Sequence, residues 1–118
     1  MATRRITLHN ARGRRVCAAA LADTFPTRLR GLLGLRGLPM GEGLLIKPAP
    51  SIHTMFMRFP IDAVFLDADL CVLEVRPGLR PWRMAGRRGA KQVLELRAGG
   101  AVECGLRAGD RLRAKAAA

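Results

Sequence analysis

The sequence predicts a mainly β, α+β domain: a compact, barrel-like antiparallel or mixed sheet of about seven short strands with one main helix at about residues 25–34. The apolar segments are short, and 13 Gly and 7 Pro separate them. Only one segment has helical periodicity. We expect residues 1–118 to form a single domain, with a core at about 5–113 and a disordered tail at 114–118.

Short alternating segments predict the first strands. Residues 5–8 alternate, residues 10–13 supply turn formers, and residues 15–19 return as an apolar stretch. This pattern predicts a hairpin. Residues 44–46 predict a short buried strand that ends at the proline-containing segment 47–50.

The main helix is predicted by its start signal and by its leucines. Asp23 or Thr24 is suited to the N-cap and Pro26 to the first turn. Three leucines then follow at i, i+3 and i+4, which places them on one face.

The longest apolar segment, residues 52–67, predicts two core strands, 52–57 and 61–66, joined through Pro60. Alternation should keep Asp62 out of the core. Later elements are a turn at 67–70, a strand at 71–75, a strand at 92–96, one helical turn within 101–106 and a closing strand from 111. Residues 76–91 hold six cations and no acid, and they predict a long, weakly ordered connection.

The charge balance favours weak binding to polyanions. The formal net charge is +12, and of 21 cationic residues only Lys47, Lys91 and Lys115 are lysines, which leaves 18 arginines. Codon bias in a GC-rich genome accounts for such an excess of arginine. We therefore expect weak, non-specific polyanion binding at low salt.

Cysteine usage and hydropathy indicate a soluble protein in the cytoplasm. Cys17, Cys71 and Cys104 are far apart in sequence, as expected of reduced thiols. The sequence has no signal peptide, and no run approaches the roughly 20 apolar residues of a transmembrane segment.

Four sequence blocks carry a family resemblance: residues 28–34 with 38–39, residues 41–46, residues 53–67, and residues 93–99 with 105–110. In this order the chain resembles the prokaryotic domain-of-unknown-function family 192. The resemblance implies a compact, β-barrel-like domain with one main helix and brings no established activity. Many relatives have glycine where this chain has Leu70, and many are exported or membrane-tethered.

The polar residues of the central segment, together with the one tryptophan, form the candidate ligand site. It comprises His53, Thr54, Arg58, Asp62 and Trp82. The favoured function is that of a non-catalytic accessory or ligand-binding module for a protein partner or a small molecule. For Arg58 and Asp62 a purely structural pair is the favoured reading, since a buried or half-buried aspartate is usually held by backbone N–H groups or by an arginine.

Two further functions stay open at this point. The basic segment 76–91 could bind nucleic acid or another polyanion through Arg80, Arg83, Arg87 and Arg88. A hydrolase or metal-dependent enzyme could use His53 and Asp62, although no catalytic motif is present and the balance is against an enzyme.

One weak metal candidate comes from the same central segment. If residues 52–57 are extended, His53, Met55 and Met57 share one face and offer soft ligands for copper(I). Core packing of the methionines is the favoured reading, and we expect no cofactor.

Overall fold

The computed structural model describes residues 4–24, 31–32 and 34–116, and within them the chain forms nine strands and one short helix. The elements are β1 (Arg5–His9), β2 (Arg15–Ala22), β3 (Glu42–Ile46), β4 (Ser51–His53), β5 (Ile61–Leu66), β6 (Val72–Leu79), β7 (Met84–Gly86), β8 (Gln92–Arg97), α1 (Gly100–Glu103) and β9 (Arg113–Ala116). The fold is therefore mainly β, as predicted. The predicted helix at 25–34 lies outside the described residues except for 31, 32 and 34.

Seven strands form one mixed sheet in the order β6-β5-β8-β3-β2-β1-β9, and β4 and β7 form a small antiparallel sheet. Within the described part of the chain, β2 and β3 are the parallel pair, and the long connection between them permits this arrangement. The large sheet ends on two different strands, so it is not closed into a barrel. A bridge between Cys71 and Arg111 joins the start of β6 to the residues that precede β9.

Several predicted elements are confirmed. β1 and β2 form the first hairpin, and the Asn10 side-chain oxygen accepts hydrogen bonds from the backbone N–H groups of Arg12 and Arg14 in its turn. β5 and β6 pair as predicted, and Leu70 lies in their turn at φ 65°. This is the conformation that glycine adopts most easily.

Three local predictions are wrong. The strand predicted at 52–57 ends at His53, because residues 54–57 form a turn in which the Met57 N–H donates to the Thr54 carbonyl at 3.2 Å. Residues 76–91 are not a weakly ordered connection, since they include the end of β6 and all of β7. Residues 114–116, assigned to the tail, pair with β1 in β9.

The core lies on both faces of the large sheet. Val64 and Leu66 of β5 pack into one cluster, whereas Ala63 and Phe65 pack into the other. Every residue of β5 is buried, because a strand covered on both faces has no solvent side. The small β4–β7 sheet covers the second cluster, to which it contributes Ile52 and Ala85.

Candidate binding surface

Thr54 joins two segments that are far apart in sequence. We call residues 54–57 the platform turn and residues 80–83 the facing segment. The Thr54 hydroxyl donates to the Arg80 carbonyl at 2.6 Å and accepts from the Arg83 N–H at 2.9 Å. Backbone bonds run from the Thr54 N–H to the Arg83 carbonyl at 2.8 Å and from the Trp82 N–H to the Thr54 carbonyl at 3.0 Å. Thr54 is fully buried, so these bonds hold the two segments together away from competing water.

The two segments present a pair of aromatic rings to solvent. Phe56 is 69% exposed and Trp82 is 56% exposed, and their ring centroids lie 4.6 Å apart with the planes inclined by 58°. We call this pair the aromatic platform. Both residues have φ 65°, a left-handed conformation that costs an L-residue roughly 1–2 kcal/mol. The protein thus holds two strained residues in a way that exposes their rings, a combination associated with functional sites.

Flexible side chains extend the apolar surface beside the platform. His53 and Met84 are opposite each other across the β4–β7 pair, and both are exposed, Met84 to 71%. Met55 in the platform turn is also exposed. Methionine adapts its shape to different ligands, so these residues can follow the contour of whatever the rings contact.

Arginines adjoin the platform, and we call Arg58, Arg80 and Arg83 the basic rim. All three are exposed, and the Arg83 Nη1 donates to the Trp82 carbonyl at 3.3 Å. Within the described residues, Arg58, Arg80 and Arg88 make no ion pair, so their charges are free to meet an anion.

Arg87 is placed differently from the rim. Its Nη1 lies 3.2 Å from a Glu74 carboxylate oxygen. Hydrogen bonds from Arg76 and then from Arg87 lower the pKa of Glu74, which therefore stays ionised. Of the four arginines predicted to bind polyanions, Arg87 is the one whose charge is already opposed by an acid.

Asp62 lies elsewhere, in the core. It is fully buried, which contradicts the expectation that alternation would keep it outside. Its two carboxylate oxygens accept hydrogen bonds from the backbone N–H groups of Gly78 and Ala101, each at 2.9 Å. These bonds tie β6 and α1 to β5, and among the described residues no ion pair joins Asp62 to Arg58. Asp62 is thus a structural residue held by backbone donors.

Of the predicted binding residues, the structure brings together His53, Thr54, Arg58 and Trp82 and excludes Asp62. The copper(I) hypothesis at His53, Met55 and Met57 loses its basis, since the turn separates a buried Met57 from its exposed neighbours. In the part of the chain that the structure describes, no three His, Cys, Asp or Glu side chains gather as a metal site would require.

Sequence reasoning missed Phe56 and Met84 as surface residues, and it did not predict that Glu95 is buried. Glu95 on β8 is 3% exposed, and burial raises its pKa to about 8. In register it lies between Leu44 of β3 and Ala63 of β5. The available signal was a single acid within the otherwise apolar segment 93–96.

Comparison with known proteins gives the family. The model of DUF192, described as an uncharacterised ACR family, matches residues 7–114. The chain belongs to the DUF192 family. A protein of Thermococcus sibiricus named UPF0127 protein is 34% identical over 80 residues, which cover 64% of this chain and 51% of that protein. The match thus spans about half of the length of that DUF192 relative.

Two solved structures have the same fold. One, from Sinorhizobium meliloti and proposed to be a transcription regulator, has a TM-score of 0.82 at 26% identity and covers 96% of this chain and 94% of its own. The other, a Novosphingobium aromaticivorans protein of unknown function, has a TM-score of 0.78 at 23% identity over 92% and 83% of the two chains. The described residues of this DUF192 member include no helix long and apolar enough to cross a bilayer.

Proposed function

We propose that this protein is a non-catalytic binding module whose aromatic platform and basic rim bind single-stranded nucleic acid. The observation that carries the proposal is the exposed Phe56–Trp82 pair. Its ring centroids lie 4.6 Å apart, and both residues have the strained φ of 65°. Unpaired bases stack on such rings, and each stacked base contributes roughly 1–3 kcal/mol. The bases of a duplex are already stacked and cannot use the platform.

The charge around the platform supports an anionic ligand. Arg58 directly follows the platform turn, Arg80 and Arg83 lie in the facing segment, and residues 76–91 contain no acid. The net charge of +12 favours association with phosphates. The assignment proposed for the Sinorhizobium meliloti relative, transcription regulator, is compatible with a nucleic-acid ligand.

The ligand-binding and polyanion-binding hypotheses concern residues of the same surface. One came from the central segment and the other from the basic segment, and the hydrogen bonds of Thr54 join these two segments. The hydrolase alternative loses support because Asp62 is fully buried and is held by two backbone N–H groups, whereas His53 is exposed. The cytoplasmic location stays a prediction.

Fluorescence anisotropy with a labelled, mixed-sequence single strand tests the platform. Phe56→Ala should weaken binding roughly 5–150-fold, the equivalent of one stacked base. Val102→Ala is the matched control, because Val102 is another exposed apolar residue but lies on α1. Equal affinity of wild type and Phe56→Ala would refute the proposal, as would equal affinity for single strand and duplex.

The salt dependence tests the basic rim. Each phosphate contact contributes about 0.7 to the slope of log affinity against log salt for a single strand. Arg58→Ala and Arg80→Ala should each lower the slope by about that amount, whereas Arg107→Ala, an exposed arginine outside the rim, should leave it unchanged. Uniform losses in all three variants would indicate diffuse charge attraction and would contradict a defined site.

A further inference from the structure

We propose that Cys17, Cys104 and Met40 form a binding site for a soft monovalent metal ion, copper(I). The three sulfur-bearing residues come from β2, from the end of α1 and from the connection that precedes β3, yet they line one cavity of about 250 Å³. This site is separate from the aromatic platform and does not depend on the proposed function.

Hydrogen bonds to the backbone of β2 hold Cys104 and the segment that contains Met40 beside this strand. The Cys104 thiol donates to the carbonyl of Val16, the neighbour of Cys17, at 3.4 Å. The Gly41 carbonyl accepts the Ala18 N–H at 2.8 Å, which holds the residue after Met40 against the same strand. The arrangement therefore brings three separate segments to one place.

The donor set suits copper(I). Thiolates and thioethers are soft ligands and prefer this ion to calcium or magnesium, which bind oxygen. Two thiols and one thioether match the low coordination number that a soft ion accepts. Burial first, and then the nearby Cys104, raise the pKa of Cys17 to about 12. The influence of Cys104 on Cys17 indicates that the two thiols lie close together.

Charged side chains also line the cavity. Copper(I) with two thiolates has a net charge of −1, and Arg97, Glu42 and Glu103 line the same cavity. The Arg97 Nε is buried, and no described residue accepts a hydrogen bond from it. Its Nη2 donates to Glu103 at 2.7 Å, so the one carboxylate that adjoins Cys104 is already paired. Arg15 also acts on Cys17, where its charge lowers the thiol pKa.

Binding exchanges protons for metal without any change of oxidation state. Copper(I) forms bonds to the two thiolate sulfurs and to the thioether sulfur of Met40, and the two thiol protons pass to solvent. Because each thiol gives up its proton to the metal, the apparent affinity should rise with pH.

The test titrates the reduced full chain with copper(I) under anaerobic conditions, against a chromophoric copper(I) chelator. We expect one ion per chain. Cys104→Ser should weaken binding at least as much as the roughly 10–100-fold loss caused by removing an outer-sphere partner. Cys71→Ser is the matched control, because Cys71 does not line the cavity and should leave the affinity unchanged. Cys17 is not replaced first, since it is fully buried in the core.

Two further readouts keep the test decisive. Copper(I) should raise the melting temperature of wild type and Cys71→Ser but not of Cys104→Ser. If Cys104→Ser does not fold, Met40→Leu, at an exposed position, should still weaken binding. Affinity that is unchanged in Cys104→Ser and in Met40→Leu, or the binding of several ions per chain, would overturn the proposal.

Discussion

Replacing Glu95 with glutamine should change how stability depends on pH. Glu95 is buried in β8, and its pKa rises from 4.5 to about 8 because burial disfavours the charged form. Between these pKa values the folded state binds one more proton than the unfolded state. The contribution of Glu95 to the free energy of unfolding is therefore fully present below pH 4.5 and decreases as the pH rises. Above about pH 8 it does not decrease further.

The magnitude follows from the two pKa values. Each tenfold change in proton concentration between 4.5 and about 8 lowers the free energy of unfolding by about 1.4 kcal/mol, so the total is on the order of 4–5 kcal/mol. A small domain has only about 5–15 kcal/mol to lose. Glu95→Gln keeps the shape and removes the charge, so this part of the slope should vanish.

Urea unfolding from pH 5 to pH 9 measures the effect. Wild type should lose stability relative to Glu95→Gln across this range, and the variant should be the more stable protein at pH 9. Asp69→Asn, which removes an exposed carboxyl group, controls for a change of net charge. Parallel curves for wild type and Glu95→Gln would refute the burial argument.

Three other substitutions test the structural contacts. Asp62→Ala leaves two backbone N–H groups without acceptors, so we expect it to lower the free energy of unfolding by roughly 2–6 kcal/mol in urea titrations. Thr54→Val keeps the shape but removes the hydroxyl that joins the platform turn to the facing segment; it should cost roughly 1–3 kcal/mol and speed amide exchange at Trp82. Phe56→Gly should be about 1 kcal/mol more stable than Phe56→Ala by thermal unfolding, because φ 65° suits glycine; the reverse order would contradict the assigned strain.

The strands could be predicted wherever local pattern and burial agree. β5 and β8 are largely apolar stretches, and the turn formers around residues 10–13 mark the first hairpin. Each of these patterns is local, because the residues that form it lie close together in sequence. Sequence alone was therefore enough for the mainly β class and for most strands of the large sheet, but not for their order.

The platform turn could not be predicted because its determinants are distant. Residues 52–57 are apolar enough for a strand, and Phe56 carries no glycine-like signal for φ 65°. The hydrogen bonds that hold the Thr54 side chain in this turn join it to residues that lie 26 and 29 positions further along the chain. No local pattern encodes such a contact.

Asp62 shows the same limit from the opposite side. A carboxylate in a strand predicts a solvent-facing position, yet its two partners lie 16 and 39 residues away. Their backbone N–H groups satisfy the carboxylate and so permit its burial. The sequence thus shows the buried carboxylate itself, but it does not show which backbone N–H groups bind it.

The fluorescence of Trp82 gives the most direct test of nucleic-acid binding, because it is the one tryptophan in the chain and forms half of the platform. Titration with an unlabelled single strand should quench this fluorescence with the same midpoint that anisotropy gives, and a duplex should not quench it. Phe56→Ala should shift the midpoint to higher concentration. Binding seen by anisotropy with no change in Trp82 emission would contradict the proposed site.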